Sequence, residues 1–300
     1  MYRSNRTTSA VFAAAFFGIA TYAGMDVTMK SLSLTLGVYN AMLWRSMLSA
    51  AIAALIYYWR RPRWPKNSTI RLHIWRGIVI SIMAFLFFWG LKFLPVAEAI
   101  GLSFIAPLIA LYLATVILHE KISSRSVIAS LIGLCGTIII VIGRLSGEYD
   151  NETGKGIISI LLSAVLYAYN LILQRQQALV AEPLEIAFFH NCTVIFVFGC
   201  LSPFLAIIPS ASHAPQIALA SILGLVSLLM MSWAYARAPA NILIPVEYTA
   251  FVWAVILGWL VFEETVTITT VIGTLLIVLG CLMAAWQKGG SIQHIKSTTA

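Results

Sequence analysis

The chain is organised around long apolar runs, each of roughly 20 residues, separated by short segments that hold most of the charge. Ten runs can be marked, at 9–32, 38–58, 74–94, 97–118, 126–143, 156–174, 184–208, 217–236, 240–262 and 268–286. A helix rises about 1.5 Å per residue, so a run of this length spans a hydrocarbon core of about 30 Å. Backbone polar groups in lipid must find partners within the protein, and a helix supplies them internally. The short apolar/polar alternation of a membrane β-barrel is absent. Hydrophobic residues make up 60% of the chain and charged residues 10%, against about 25% charged in an ordinary soluble domain. These features predict an all-α integral membrane protein with ten transmembrane helices.

The net charge of +8 does not predict a nucleic-acid partner, because the basic residues sit in short loops and not along one continuous basic face. Their placement instead orients the helices. With the N-terminus in the cytoplasm, Arg3, Arg6, Arg60, Arg61, Arg63, Lys66, Arg71, Lys121, Arg125, Arg175, Arg237, Lys288 and Lys296 fall on the cytoplasmic side, and Lys92, Arg144 and Lys155 on the other. Thirteen against three is the bias of the positive-inside rule, and it puts both termini in the cytoplasm of a bacterial inner-membrane protein. Arg3 and Arg6 before an apolar stretch superficially resemble a signal peptide, but the stretch runs on to Leu32 without a clean cleavage site, so it is read as a retained first span. Cys135, Cys192, Cys200 and Cys281 lie within apolar runs with no metal-like or disulfide-framework spacing. No metal or other cofactor is expected, and the partners expected are the lipid bilayer and a small-molecule metabolite, with a homodimer compatible.

Comparing the chain with itself at an offset of 144 residues places Trp89 on Trp233, Pro95 on Pro239, Ala106 on Ala250, Glu120 on Glu264 and Gly136 on Gly280. The same offset places Asp26 on Asn170, Lys30 on Gln174 and Ser103 on Glu247. Each copy holds five spans, an odd number, so the second must enter the membrane from the opposite side. The expected architecture is two inverted five-helix repeats around a central cavity, the arrangement of many secondary transporters. The units are 1–145, an external linker at 146–155, 156–288, and a cytoplasmic tail at 289–300.

The stretch "FIAPLIALYLATVILHEKIS", with Pro107 and Glu120, and its counterpart "WAVILGWLVFEETV" resemble the drug/metabolite transporter superfamily in its ten-span EamA branch. The resemblance covers nearly the whole chain and implies a transporter without a cofactor. One departure is Phe251, where second halves of the family often keep a proline; here Pro245 comes earlier, in "IPVEYTAFVWA". Together with "HIWRG" and "GMDVTMKS", this looks more like the branch that contains S-adenosylmethionine carriers and riboflavin importers.

Charges within spans are expensive, about 2.5–3.5 kcal/mol each on insertion scales, so they should face a cavity or a partner. Asp26 and Lys30 share a helix face with Tyr22 and form either a polar strip along a transport path or a self-neutralised pair near the helix end. Arg45 offers a planar, permanently charged fork to an anionic substrate group or to a structural ion pair. His190 is either a titrating group or a helix-bonding partner. Glu247 follows Pro245, which can open the helix locally, and suits proton coupling or cation recognition; the alternative is a protonated acid bonded to a neighbouring helix. Tyr248 follows it. Trp89 and Trp233 recur in both halves and either pack at the membrane interface or stack on a flat substrate. Tyr22, Asp26, Lys30, Arg45, Trp89, Ser103, Tyr169, Asn170, Trp233, Glu247 and Tyr248 are the residues expected along the path. Glu120 and Glu264 read as helix-end groups.

The expected function is secondary transport of a small organic metabolite by alternating access. No G-x-x-x-x-G-K-[ST] loop occurs for ATP. An intramembrane enzyme would need clustered acids, a metal set or an activated nucleophile, and H-E-x-x-H is absent. A membrane scaffold is the other alternative; it would tolerate loss of Asp26 and Glu247 and would need no cavity.

Overall fold

The structure, a computed structural model, describes residues 2–60, 64–106, 109–110, 112–113, 124–145, 151–237, 243, 246–247 and 249–285. Among these, every regular element is helical. In chain order the helices of eight residues or more among them are α1 (Tyr2–Leu36), α2 (Val38–Trp59), α3 (Asn67–Gly90), α4 (Val96–Ser103), α5 (Ser124–Leu145), α6 (Asn151–Val180), α7 (Pro183–Gly199), α8 (Ala214–Arg237), α9 (Thr249–Phe262) and α10 (Ile268–Ala285); single turns at Ser202–Leu205 and Ala211–His213 lie between α7 and α8. Stretches of α1, α2, α3, α6 and α8 are each long and apolar enough to cross a membrane, and shorter apolar stretches lie at Leu131–Ile140, Pro183–Gly199, Thr249–Phe262 and Ile268–Gly280.

The distribution of polarity is the reverse of a soluble protein's. Leu55, Phe196 and Trp259 are among the large apolar side chains left exposed, at 75%, 72% and 61%, whereas Asp26, Lys30, Arg45, Arg76, Glu98 and Glu247 are buried. Apolar surface on this scale is stable only in contact with lipid, and charges are stable only when turned away from it. The chain is a multi-pass membrane protein.

Three local features depart from the spans expected. The apolar run 184–208 is not one helix: α7 ends at Gly199, and a single turn, Ser202–Leu205, precedes an extended segment. Pro203, which has no backbone N–H, lies in that turn and cannot continue the α7 ladder. Ile207 is then clamped to α2: its N–H donates to Asn40 Oδ1 at 2.8 Å, and its carbonyl accepts from Trp44 Nε1 at 2.8 Å. Helix α6 begins at Asn151, within the expected linker 146–155, and runs on to Val180, so Arg175 and Gln177 belong to the helix. Residues 146–150 of that linker and the expected tail 289–300 lie outside the described residues, as does much of the expected span 97–118. Between α1 and α2 the chain reverses on Gly37 alone, at φ 77°, a conformation that costs an L-residue and not glycine.

The most extensive packing joins α5 to α10, α1 to α8, α3 to α6 and α2 to α7; α1 also packs on α9, α6 on α4, α3 on α7 and α8 on α2. Lipid supplies no hydrophobic drive between helices, so small residues and interhelical hydrogen bonds carry these contacts. Ser159 and Ser163 of α6 donate to the carbonyls of Leu86 and Met83 on α3, at 2.7 and 2.8 Å. Where α5 crosses α10 the backbones touch: a Cβ on Gly136 would lie 2.4 Å from the Gly273 carbonyl, and one on Gly273 would lie 2.5 Å from the Gly136 carbonyl. Neither carbonyl can move without the helix that holds it. Gly136→Val or Gly273→Val should therefore separate the two helices and cost about 1–3 kcal/mol, the usual penalty of overpacking. Gly199→Val, with nothing within 4 Å of its Cβ, is the control. Thermal unfolding in detergent should show a lower midpoint for the first two variants and a parental one for the third.

Candidate functional site

A cavity of about 200 Å³ lies between the helices. Its polar lining comes from Tyr22 and Asp26 of α1, Arg45 and Ser49 of α2, Arg76 of α3, Ser103 of α4, Ser163, Tyr167, Asn170 and Gln174 of α6, His190 and Asn191 of α7, and Ser227 of α8, with Glu247 just before α9. Apolar walls are formed by Met25, Ile80, Met83, Phe87, Phe88, Phe104 and Met231, among others. A mostly apolar concavity with a few convergent polar groups is the usual form of a small-molecule site.

The two arginines in the cavity differ in kind. Arg76 is consumed by the protein. Its Nε donates to Asn170 Oδ1 at 2.9 Å, Nη2 to Gln174 Oε1 at 3.1 Å, and Nη1 to Gln177 Oε1. The three amides lie along one face of α6, at the i, i+4, i+7 spacing that a helix turns to one side. Gln177 passes the network on: its amide nitrogen donates to His73 Nδ1, and His73 Nε2–H donates to Glu185 Oε1 at 2.9 Å. The His73 ring stacks on Phe189, with centroids 4.8 Å apart. The arrangement locks α3 to α6 and α7. Arg45, by contrast, has a buried Nε with no hydrogen-bond partner. It lies beside Gly224 of α8, where a Cβ would come within 2.9 Å of Nη1.

The acids also differ. Glu247 is held at both oxygens: the hydroxyl of Tyr235 donates to Oε1, and that of Tyr167 to Oε2 at 3.3 Å. Asp26 lies in the field of Arg45 without forming an ion pair with it, and its Oδ1 is buried with no hydrogen-bond partner.

Of the residues expected along the path, Tyr22, Asp26, Arg45, Ser103, Asn170 and Glu247 line this one cavity, and so does His190. Lys30, Trp89, Tyr169 and Trp233 lie off it. Lys30 pairs with Glu264, and not with Asp26 one turn away. Its Nζ also donates to the Leu94 carbonyl at 2.7 Å and sits 5.0 Å from the centroid of the Phe262 ring. The other oxygen of Glu264 accepts from Val96 N–H, at the first turn of α4, at 2.7 Å. A carboxylate there meets a free backbone donor and the positive end of the helix dipole. Gly258 leaves room for this carboxylate, since a Cβ would stand 2.9 Å from Oε2. Trp89 packs edge-on to Phe93, Tyr169 accepts from Trp75 Nε1 at 3.0 Å, and Trp233 carries the Arg237 guanidinium over its ring at 4.1 Å. Tyr248, Pro245 and Glu120 lie outside the described residues.

Arg76, Tyr167 and Gln177 are not among the residues expected from the sequence, and Gln174 enters there only as the counterpart of Lys30. The amide stripe on α6 was the available signal: three carboxamides on one face of a membrane helix need a buried donor opposite.

Helices that bury charge and expose hydrocarbon, with a cavity of convergent polar groups between them, define a membrane protein with an internal small-molecule site. The family model described as the EamA-like transporter family matches residues 9–142 and again 154–286, and the chain belongs to that family. It is 25% identical over 252 residues to an uncharacterized transporter of Helicobacter pylori, covering 81% of this chain and 83% of that protein. It is 22% identical to the S-adenosylmethionine uptake transporter of Rickettsia prowazekii, covering 89% of each chain. It is 24% identical to the pseudopaline exporter CntI of Pseudomonas aeruginosa, covering 90% of this chain and 94% of that one. A solved crystal structure superposes with a TM-score of 0.63 at 18% identity, over 92% of this chain and 96% of the other, and shows the fold alone. The family and these relatives are transporters, not enzymes.

The contrast between the arginines is testable. Arg76→Leu should destabilise the protein, because each buried amide left without its donor costs about 1–3 kcal/mol. Arg76→Lys keeps the charge but lacks the planar fork, and should recover only part of the loss. Unfolding midpoints in detergent that match the parent for both variants would remove Arg76 from this structural role.

Proposed function

We propose that the chain is a secondary carrier that moves a small organic metabolite across the bacterial cytoplasmic membrane, exposing the cavity to each side in turn. The observation that carries the reading is the cavity itself, lined by charges from both halves of the chain and buried away from lipid. A scaffold has no need of it.

Two inverted five-helix halves are the proposed moving parts. The packing supports this: exchanging α1, α2, α3 and α5 for α6, α7, α8 and α10 turns the α1–α8 contact into α6–α3 and α3–α7 into α8–α2, both of which exist, while α2–α7 and α5–α10 pair with themselves. The twofold match of one family model supports the duplication as well. Both termini are proposed to be cytoplasmic, on the distribution of Lys and Arg. The turns α1–α2 and α6–α7 are equivalent in the two halves, so inversion puts them on opposite faces. Cysteines introduced at Thr35 and at Glu182, both exposed, on a cysteine-free background should label from opposite sides of the membrane. Labelling from one side would overturn the inversion.

S-adenosylmethionine, named for one relative, is the first metabolite to test, and because another relative is named as an exporter, flux is measured in both directions. Glu247 is the proposed coupling group. It is a carboxyl group inside the membrane, fixed by Tyr235 and Tyr167 but still facing the cavity. A group that binds a proton or a cation in one state and not another supplies the differential affinity that biases a carrier's conformations. Glu247→Gln keeps size and hydrogen bonding and removes titration. In liposomes the variant should insert normally and lose most flux, by about tenfold or more, or lose its pH dependence. Parental flux from acid to mildly alkaline pH would make Glu247 structural.

A further inference from the structure

We infer that the cavity recognises a zwitterion, a solute with a carboxylate and an ammonium group close together, through Arg45 and Asp26. The inference rests on the carrier reading above and assigns the two charged subsites within it.

Among the described residues, Asp26, Arg45, Arg76 and Glu247 are the acids and arginines that line the cavity, and two of them are already occupied. Arg76 spends its donors on three amide oxygens of α6, and Glu247 has both oxygens bonded by tyrosine hydroxyls. Arg45 and Asp26 remain. Both are more than nine-tenths buried, at 8% and 1% exposure. Each keeps a buried polar atom without a hydrogen-bond partner, Nε on Arg45 and Oδ1 on Asp26. They stand on adjacent helices and line the same cavity, yet they form no ion pair with each other. Two opposite charges taken out of water gain most by closing on one another, and an uncompensated buried charge costs several kcal/mol. Held apart within one cavity, the two groups leave room for a ligand between them.

The chemistry of that ligand follows from the pair. An anion alone would satisfy Arg45 and bring a like charge beside Asp26, while a cation alone would do the reverse. A carboxylate on the planar fork of Arg45 and an ammonium donating to Asp26 satisfy both, with no net charge added. A ligand that enters this space must hydrogen-bond to both groups to offset what it loses on leaving water. The rest of the solute meets an apolar wall that includes Met25, Met83, Phe87, Phe88 and Phe104. Gly224 sets the position of the anion subsite, because a side chain there would meet the Arg45 guanidinium.

The experiment is a binding comparison on the purified full chain in lipid nanodiscs, by thermal stabilisation and calorimetry. The probes are L-methionine and L-phenylalanine, and for each the methyl ester, which is only a cation, and the N-acetyl derivative, which is only an anion. The zwitterions should bind, and each singly charged derivative should bind about tenfold or more weakly, as expected when one partner of a buried charge pair is deleted. Arg45→Gln should bring the zwitterion down to the affinity of the ester, and Asp26→Asn to that of the N-acetyl acid. Should Arg45→Gln fail to fold, Gly224→Ala keeps both charges, displaces the guanidinium, and should lose the same preference. The proposal is overturned if a singly charged probe binds as tightly as the zwitterion, if neither zwitterion binds, or if the folded variants keep the parental preference. Liposome flux separates the two readings. Flux of any metabolite without zwitterion preference leaves the carrier standing and removes this assignment, and zwitterion binding without flux does the opposite.

Discussion

The guanidinium of Arg76, laid against three amides of α6, is the contact on which the interior depends. A permanent cation inside a membrane protein cannot discard its proton at reasonable cost, so it must be surrounded. Arg76 is surrounded by Asn170, Gln174 and Gln177, and through Gln177 by His73 and Glu185. This polar seam runs between α3, α6 and α7 and fixes one wall of the cavity. With that wall set, the serines of α6 reach the carbonyls of α3, and the other charged groups take up their positions around the space that remains.

A second seam joins α1, α4 and the end of α9. Lys30 binds Glu264, and Glu264 also receives the first backbone N–H of α4. To bring the carboxylate there the chain turns sharply after α9, with Glu263 at φ 56°, a left-handed conformation costly for a non-glycine residue. Spending strain there makes sense if the turn holds both a buried cation and a helix start. Positions paired by the self-comparison are used in different ways. Asp26 and Lys30 correspond, at the 144-residue offset, to Asn170 and Gln174. In the first half the positions hold charges, one facing the cavity and one bonded to Glu264; in the second they hold neutral amides bound to Arg76.

Much of the candidate site could be read before the fold. Intramembrane charge is so costly that Asp26, Arg45 and Glu247 had to be turned inward, and all three line the cavity. The aromatic residues could not be placed in the same way. Trp89, Tyr169 and Trp233 carry no penalty in lipid or at its surface, so nothing in their spacing distinguishes a cavity wall from a packing contact; each is occupied by a neighbour instead, Phe93, Trp75 and Arg237. Lys30 was ambiguous for a related reason. A carboxylate one turn away is a plausible partner on an isolated helix, but a residue 234 positions distant in sequence is closer in space.

The sequence by itself determined that this chain lives in a bilayer, that its segments there are helices, and which family it resembles. Those conclusions follow from hydrocarbon thickness, from the need of every backbone polar group for a partner, and from motifs repeated along the chain. Only the tertiary structure decided which charges are used up and which are left. Arg45 and Arg76 look alike in sequence, each a lone arginine in an apolar run. One meets three amides and the other meets none, because hydrogen bonds between helices depend on how the helices are rotated and how closely they cross. That is set by long-range packing, down to the contact of Gly136 with Gly273, and no local run of residues encodes it.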